Sequence, residues 1–142
     1  MFKTDVTYTN FRGEKVTEAL RFNLSESELQ DLADADRSFS QDYLSWVIEQ
    51  QNVKEMFNII RKLIAVSYGV MSEDGRAFRK RDDDVYDFLH SAAYDQFIDN
   101  LLDEETGEAL MSEFVINVFP AKFSDAIRGK IKEEKAALTV AK

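Results

Sequence analysis

Cysteine is absent from the 142 residues, so the chain has no disulfide, no thiol nucleophile and no Cys-ligated zinc. The single histidine, His90, excludes a multi-histidine metal site. Glycine is scarce at five residues, and none stands in the G-x-x-x-x-G-K or G-x-G-x-x-G spacing that cradles a phosphate. With one proline, Pro120, no Pro- or Gly-rich linker divides the chain. Positive charge is in deficit, 18 Lys and Arg against 27 Asp and Glu, so a general nucleic-acid-binding role would work against repulsion. No run approaches the roughly 20 apolar residues of a membrane span. Met1-Phe2-Lys3-Thr4-Asp5 leads into alternation and not into the apolar block of a signal peptide. These absences leave the expectation of a soluble, acidic, intracellular single domain that does no chemistry of its own and uses no cofactor.

What is present argues for a packed core, because 44% of residues are hydrophobic and 11 are Phe. The start alternates. Phe2, Val6 and Tyr8, with Thr4 as the polar exception, predict one strand, and Val16, Leu20 and Phe22 predict its partner across Asn10-Phe11-Arg12-Gly13. Glu18 interrupts the second apolar face, which an edge location tolerates. A β-hairpin of residues 3–9 and 15–23 follows.

From Ser25 the period becomes helical. Ser25 with Glu28 has the form of a capping box. The first helix ends near Asp34-Ala35-Asp36, and a second begins near Ser38 or Ser40 with Tyr43, Leu44, Val47 and Ile48 to one side. Trp46 is expected in the core, with an interface role second. Asn52 caps the next helix, Val53 to Tyr68, whose stripes Val53, Met56, Phe57, Ile60, Ile64 and Ile59, Leu63, Val66 predict burial in the middle of a bundle. Gly69 stands where a left-handed helix cap is expected. After the turn dipeptide Asp74-Gly75, with Phe78 pinning the loop to the core, Asp82 or Asp83 caps a helix carrying Val85, Phe88 and Leu89. Tyr94, Phe97, Ile98 and Leu101 make the inner face of the next helix, separate from that one or continuous with it. Leu110, Phe114, Val115 and Val118 make a further helix stopped before Pro120, and residues 121–135 a last one around Phe123, Ile127 and Ile131. The predicted fold is therefore mainly α: a helical bundle of five to six helices (25–120) preceded by an N-terminal β-hairpin (1–24), with a C-terminal helix and frayed tail at 121–142.

No motif for catalysis emerges. Asp82-Asp83-Asp84 and Asp103-Glu104-Glu105 read as helix capping and solubility and not as metal sites. Asp34-Ala35-Asp36-Arg37-Ser38 begins like a calcium loop, but Phe39 occupies the place of the turn glycine and Ser45 that of the bidentate Glu. His90 lacks a nucleophile motif. The basic cluster Arg76, Arg79, Lys80 and Arg81 is followed at once by three aspartates that cancel much of its field. Asn23-Leu24-Ser25 matches a glycosylation acceptor by chance. No catalytic, cofactor or metal residue is therefore assigned.

Val6-Thr7-Tyr8-Thr9-Asn10-Phe11-Arg12-Gly13-Glu14 with Phe22-Asn23-Leu24-Ser25 resembles the opening of tail assembly chaperones of long-tailed, siphophage-type bacteriophages. The helix exit and loop Ser67 to Phe78 is similar to theirs, as are Ser91 through Leu101 and Phe114 through Pro120, so the resemblance spans residues 5–120. It implies a non-enzymatic protein of the host cytoplasm, absent from the mature virion. Such a chaperone binds and solubilises the tape measure protein and helps deliver tail tube protein, directly or through a longer frameshifted form, of which this chain matches the short version. Tyr68, Gly69, Asp74, Gly75 and Phe78 match the family pattern and are read as structural. Partner binding is assigned to Trp46, Phe57, Ile60, Ile64, Phe114 and Val118, and self-association is a further expectation. The competing reading is a structural virion part, such as a head–tail connector or tail completion protein.

Overall fold

The computed structural model describes residues 1–120. The expected helix and tail at 121–142 lie outside the described residues, as do the side chains of Ile48 and Val53. Strands β1 (Phe2–Thr9) and β2 (Lys15–Phe22) form an antiparallel hairpin in register from Phe2 opposite Phe22 to Thr9 opposite Lys15. Period-two alternation puts Phe2, Val6, Leu20 and Phe22 on the buried face. The turn is built by Asn10, whose side-chain oxygen accepts from the backbone N–H groups of Arg12 (3.0 Å) and Glu14 (2.9 Å), and by Gly13 at φ +85°. Glu18 is exposed on β2, where β3 does not reach, and accepts the Tyr8 hydroxyl at 3.1 Å.

The helices are α1 (Glu26–Ala35), α2 (Gln41–Gln50), α3 (Val53–Ser67), α4 (Asp82–Leu89), α5 (Ala92–Leu101) and α6 (Gly107–Val118). A single 3-10 turn at Arg37–Phe39 leads into α2. The Ser25–Glu28 capping box is complete, and Asn52 caps α3 through the Glu55 N–H at 3.1 Å. One boundary differs from expectation. The N-cap of α4 is Arg81, without a side-chain bond, because Asp82, Asp83 and Asp84 fill the first turn, where their charge faces the helix N-terminus. Of the two readings left open for the next segment, a separate helix α5 is the one formed, because Ser91 leaves helical backbone and accepts the Tyr94 N–H at 3.2 Å as a fresh cap.

The expected helical bundle is corrected. Residues 25–120 also hold β3 (Tyr68–Met71) and β4 (Phe78–Arg79), which extend the hairpin into a four-stranded antiparallel sheet of order β1-β2-β3-β4. The fold is α+β, with α5 and α6 packed on β1 and the helices covering one face of the sheet. Phe22, Phe97 and Phe114 are all fully buried at this seam. The centroid of Phe22 lies 5.2 Å from Phe97 and 5.3 Å from Phe114.

Gly69 is likewise not a left-handed cap. Tyr68 turns to extended backbone (φ −63°, ψ 141°), and Gly69 enters β3 opposite Arg21. A Cβ there would lie 2.6 Å from the Phe78 ring and 2.9 Å from the Arg79 carbonyl oxygen, so close strand packing, and not positive φ, requires glycine. Gly75, at φ +75°, supplies the turn. Gly69→Ala should therefore cost roughly 1–3 kcal/mol in denaturant unfolding. The loss should be smaller in a Phe78→Ala background, and strict additivity of the two changes would refute the steric account.

Candidate functional site

Four of the six residues assigned to partner binding face inward. Ile60 and Ile64 on α3, and Phe114 and Val118 on α6, belong to the buried core. Phe57 is half-buried beneath the Arg61 guanidinium, 5.1 Å from its ring centre. Trp46 is 49% exposed, against the expectation of a core position. Helical phase explains the difference. α2 turns Leu44 and Val47 inward, and Trp46 lies about 200° around the helix from Leu44. The five motif residues Tyr68, Gly69, Asp74, Gly75 and Phe78 gather in the β3–β4 hairpin, where Tyr68 stacks on Phe88 at 4.0 Å.

Trp46 belongs to an aromatic shelf. Its ring lies 5.8 Å from that of Tyr43, and the Arg37 guanidinium sits 5.5 Å from the Tyr43 centroid. The Tyr43 hydroxyl donates to Glu55 Oε1 at 2.9 Å, which ties α2 to α3 and raises the phenol pKa. Ser38, Ser40 and Asp42 complete the wall of a concavity of about 690 Å³. Lys62 braces its base by reaching Asp36 Oδ2 at 3.2 Å and the Ser38 hydroxyl at 3.3 Å.

A second concavity, about 540 Å³, runs between α1, the end of α3 and α4. Leu32, Val66, Val85 and Leu89 line it together with the charged Glu28, Asp31, Lys80 and Asp82. Lys80 Nζ lies 2.7 Å from Glu28 Oε2, joining α1 to the β4–α4 connection. Burial pushes the Glu28 carboxyl up, but the Lys80 ammonium and the Ser25 N–H outweigh it and leave the pKa lowered.

Other polar groups are engaged in local structure. Asp74 accepts the Ser72 hydroxyl (2.7 Å) and the Arg76 N–H (3.1 Å), and Asp103 accepts the N–H groups of Glu105 and Thr106, so both pKa values fall. His90 stacks on Tyr86 at 4.1 Å, with Nδ1 2.8 Å from the Tyr86 carbonyl oxygen. Among the described residues no three His, Asp or Glu side chains converge as a metal site. No helix among them is long and apolar enough to cross a membrane. Sequence reasoning missed Phe11, 82% exposed at the tip of the first hairpin, and Tyr86 on α4. The turn residues Asn10 and Gly13 around Phe11 were the available signal, since a turn has no core-facing side.

Exposed aromatic rings and two concavities thus stand on a small α+β scaffold. A family model described as phage tail assembly chaperone matches residues 1–141, and the chain belongs to that family. No curated protein and no solved structure gives a significant match.

The Glu28–Lys80 contact makes a pH-dependent contribution. A carboxyl with a lowered folded-state pKa stabilises the fold above its unfolded pKa and loses that contribution as pH falls through the folded value. Because both side chains are partly exposed, Glu28→Gln should cost only about 0.5–1 kcal/mol at neutral pH. The gap to the parent should close in acid. A gap of constant size from neutral to acid pH, measured by urea unfolding, would assign the loss to packing instead.

Proposed function

We propose that this chain acts without catalysis as a chaperone for the tape measure protein, keeping that hydrophobic partner soluble in the host cytoplasm and assisting tail tube assembly around it. The family match over residues 1–141 carries the reading. The Tyr43–Trp46 shelf supports it as the docking surface, because an exposed tryptophan beside a tyrosine offers large contact area at small entropic cost. Phe57 is a secondary contact at the edge of the core. Ile60, Ile64, Phe114 and Val118 support binding indirectly, by fixing the helices that carry the exposed rings. The net charge of −9 keeps the complex in solution while apolar contact supplies affinity.

Co-expression with the tape measure protein of the same phage should move that protein from the pellet to the supernatant as a complex that survives moderate salt. Trp46→Asp should leave the thermal midpoint nearly unchanged and weaken capture by about 2 kcal/mol or more, as for a contact residue at the centre of an interface. Ile60→Asp should unfold the chain, since it buries an unpaired charge. Failure of the folded parent, in excess, to solubilise the tape measure protein would defeat the proposal. Recovery of the chain in purified virions by mass spectrometry would favour a structural virion role.

A further inference from the structure

Strand β1 stands at one edge of the sheet, with β2 as its only strand neighbour. The Asn10 N–H donates to the Glu14 carbonyl oxygen at 2.9 Å, which makes that pair the first hydrogen-bonded one of the hairpin. Alternation along the register then assigns the ladder bonds to Tyr8–Val16, Val6–Glu18, Thr4–Leu20 and Phe2–Phe22. Lys3, Asp5, Thr7 and Thr9 fall between them and turn their backbone N–H and C=O groups away from β2. Two contacts agree with this phase. The Thr7 and Thr17 hydroxyls meet at 2.9 Å, as the closer side chains of a non-hydrogen-bonded pair allow. Along the far side of β2 the Asn23 N–H donates to the Ser67 carbonyl oxygen at 2.8 Å, so odd-numbered positions there also face away from β1. Among the described residues, no backbone group outside the hairpin bonds to β1. The edge is therefore a template for another strand.

Its side chains specify which strand. Lys3 and Asp5 are exposed, and the register sets Lys3 opposite Arg21, a like charge, and Asp5 opposite Ala19. The hairpin thus places no opposite charge directly across from either. Thr4 lies between them on the helix-covered face, half-buried and polar in a row otherwise formed by Phe2, Val6 and Tyr8. A two-fold axis through Thr4 and normal to the sheet would run a second β1 antiparallel to the first. Lys3 of each copy then stands opposite Asp5 of the other, and both residues are ones whose backbone groups point outward. Thr4 meets Thr4 of the second copy, a polar pair on the face where its own strand is apolar, and Phe2 meets Val6 of the second copy. Neighbouring registers lack this match. An axis at Asp5 opposes two aspartates, one at Lys3 opposes two lysines, and one at Val6 sets Asp5 against Thr7 and Lys3 against Thr9.

We propose that two copies of this chain join edge to edge through β1, antiparallel about Thr4, so that the two four-stranded sheets become one. The interface uses no residue of the Tyr43–Trp46 shelf and does not depend on what that shelf binds.

The absence of native cysteine makes the test direct. Opposite residues of a non-hydrogen-bonded pair stand about 4.5 Å apart at Cα, within the span of a disulfide. In the full chain, Thr4→Cys should therefore form a disulfide-linked dimer under mild oxidation several-fold faster than Thr9→Cys, which lies on the same strand beyond the paired stretch. In the Thr4→Cys background, Lys3→Asp alone or Asp5→Lys alone should slow dimer formation several-fold, because each sets like charges opposite one another. Mixing those two variants should restore it in the mixed dimer, identified by mass, and the double exchange within one chain should restore it in the homodimer. Circular dichroism checks that each variant is folded. The cysteine-free parent, which no substitution perturbs, should show a dimer fraction that rises with concentration in sedimentation equilibrium. Equal rates at Thr4 and Thr9, indifference to the charge changes, or a parent monomeric at every concentration would overturn the proposal. Cross-linking of Thr4→Cys to co-expressed tape measure protein and not to itself would also overturn it, and would give the edge to an extended segment of that partner.

Discussion

Phe22 is the contact on which the rest of the molecule depends. It ends β2, is fully buried, and meets Phe2, Tyr68, Phe88, Phe97 and Phe114 at centroid distances of 5.2 to 6.2 Å. Those five rings come from β1, β3, α4, α5 and α6, so one side chain joins elements spread over more than a hundred residues of sequence. Tilted and edge-on ring pairs add about 0.5–1.5 kcal/mol each beyond the area they bury, and the cluster contains several. Just beyond it, the Asn23 N–H donates to the Ser67 carbonyl and the Leu24 N–H to that of Val118, fixing the ends of α3 and α6 against the same strand. The hairpin is thus the centre of the core and not an appendage to a bundle.

That centrality was only partly legible beforehand. Local signals were reliable wherever the physics is local: the alternation of β1 and β2, the Ser25–Glu28 box, the Asn52 cap and the Asp74-Gly75 turn all depend on residues within a few positions of one another. β3 and β4 escaped because four and two residues cannot establish a period. β4 pairs with β3 locally, but β3 joins the hairpin through Gly69 opposite Arg21, a contact across 48 positions that no short window of sequence contains. The same distant contact explains why Gly69, placed as many helix-ending glycines are, serves strand packing.

The surface was less legible than the fold, for a related reason. A helix apolar over much of its circumference shows that it will be buried, but not which of its faces stays uncovered. On α2 the stretch Tyr43-Leu44-Ser45-Trp46-Val47 offers three apolar directions, and the core accepts only that of Leu44 and Val47. Tyr43 is held half out by its bond to Glu55, and Trp46 is left at the surface. The distinction between core and contact residue therefore appears only when α3 is placed beside α2.

Charge and exposed apolar surface divide the remaining labour. A protein that exposes Phe11, Trp46 and Tyr86 invites self-association unless something opposes it. A surplus of carboxylates on residues 1–120 supplies that opposition at long range, because like-charged chains repel before their apolar patches meet. The repulsion fades within about 10 Å at moderate ionic strength, so it does not prevent a tight complex once a partner with complementary surface arrives. Lys62 and Lys80 illustrate how little positive charge is needed for structure: each is committed to a carboxylate that anchors a helix end, Asp36 below α2 and Glu28 at the start of α1. Other carboxylates, such as Asp74 and Asp103, are held in local hydrogen bonds, and the surplus negative charge acts besides on encounters with other molecules.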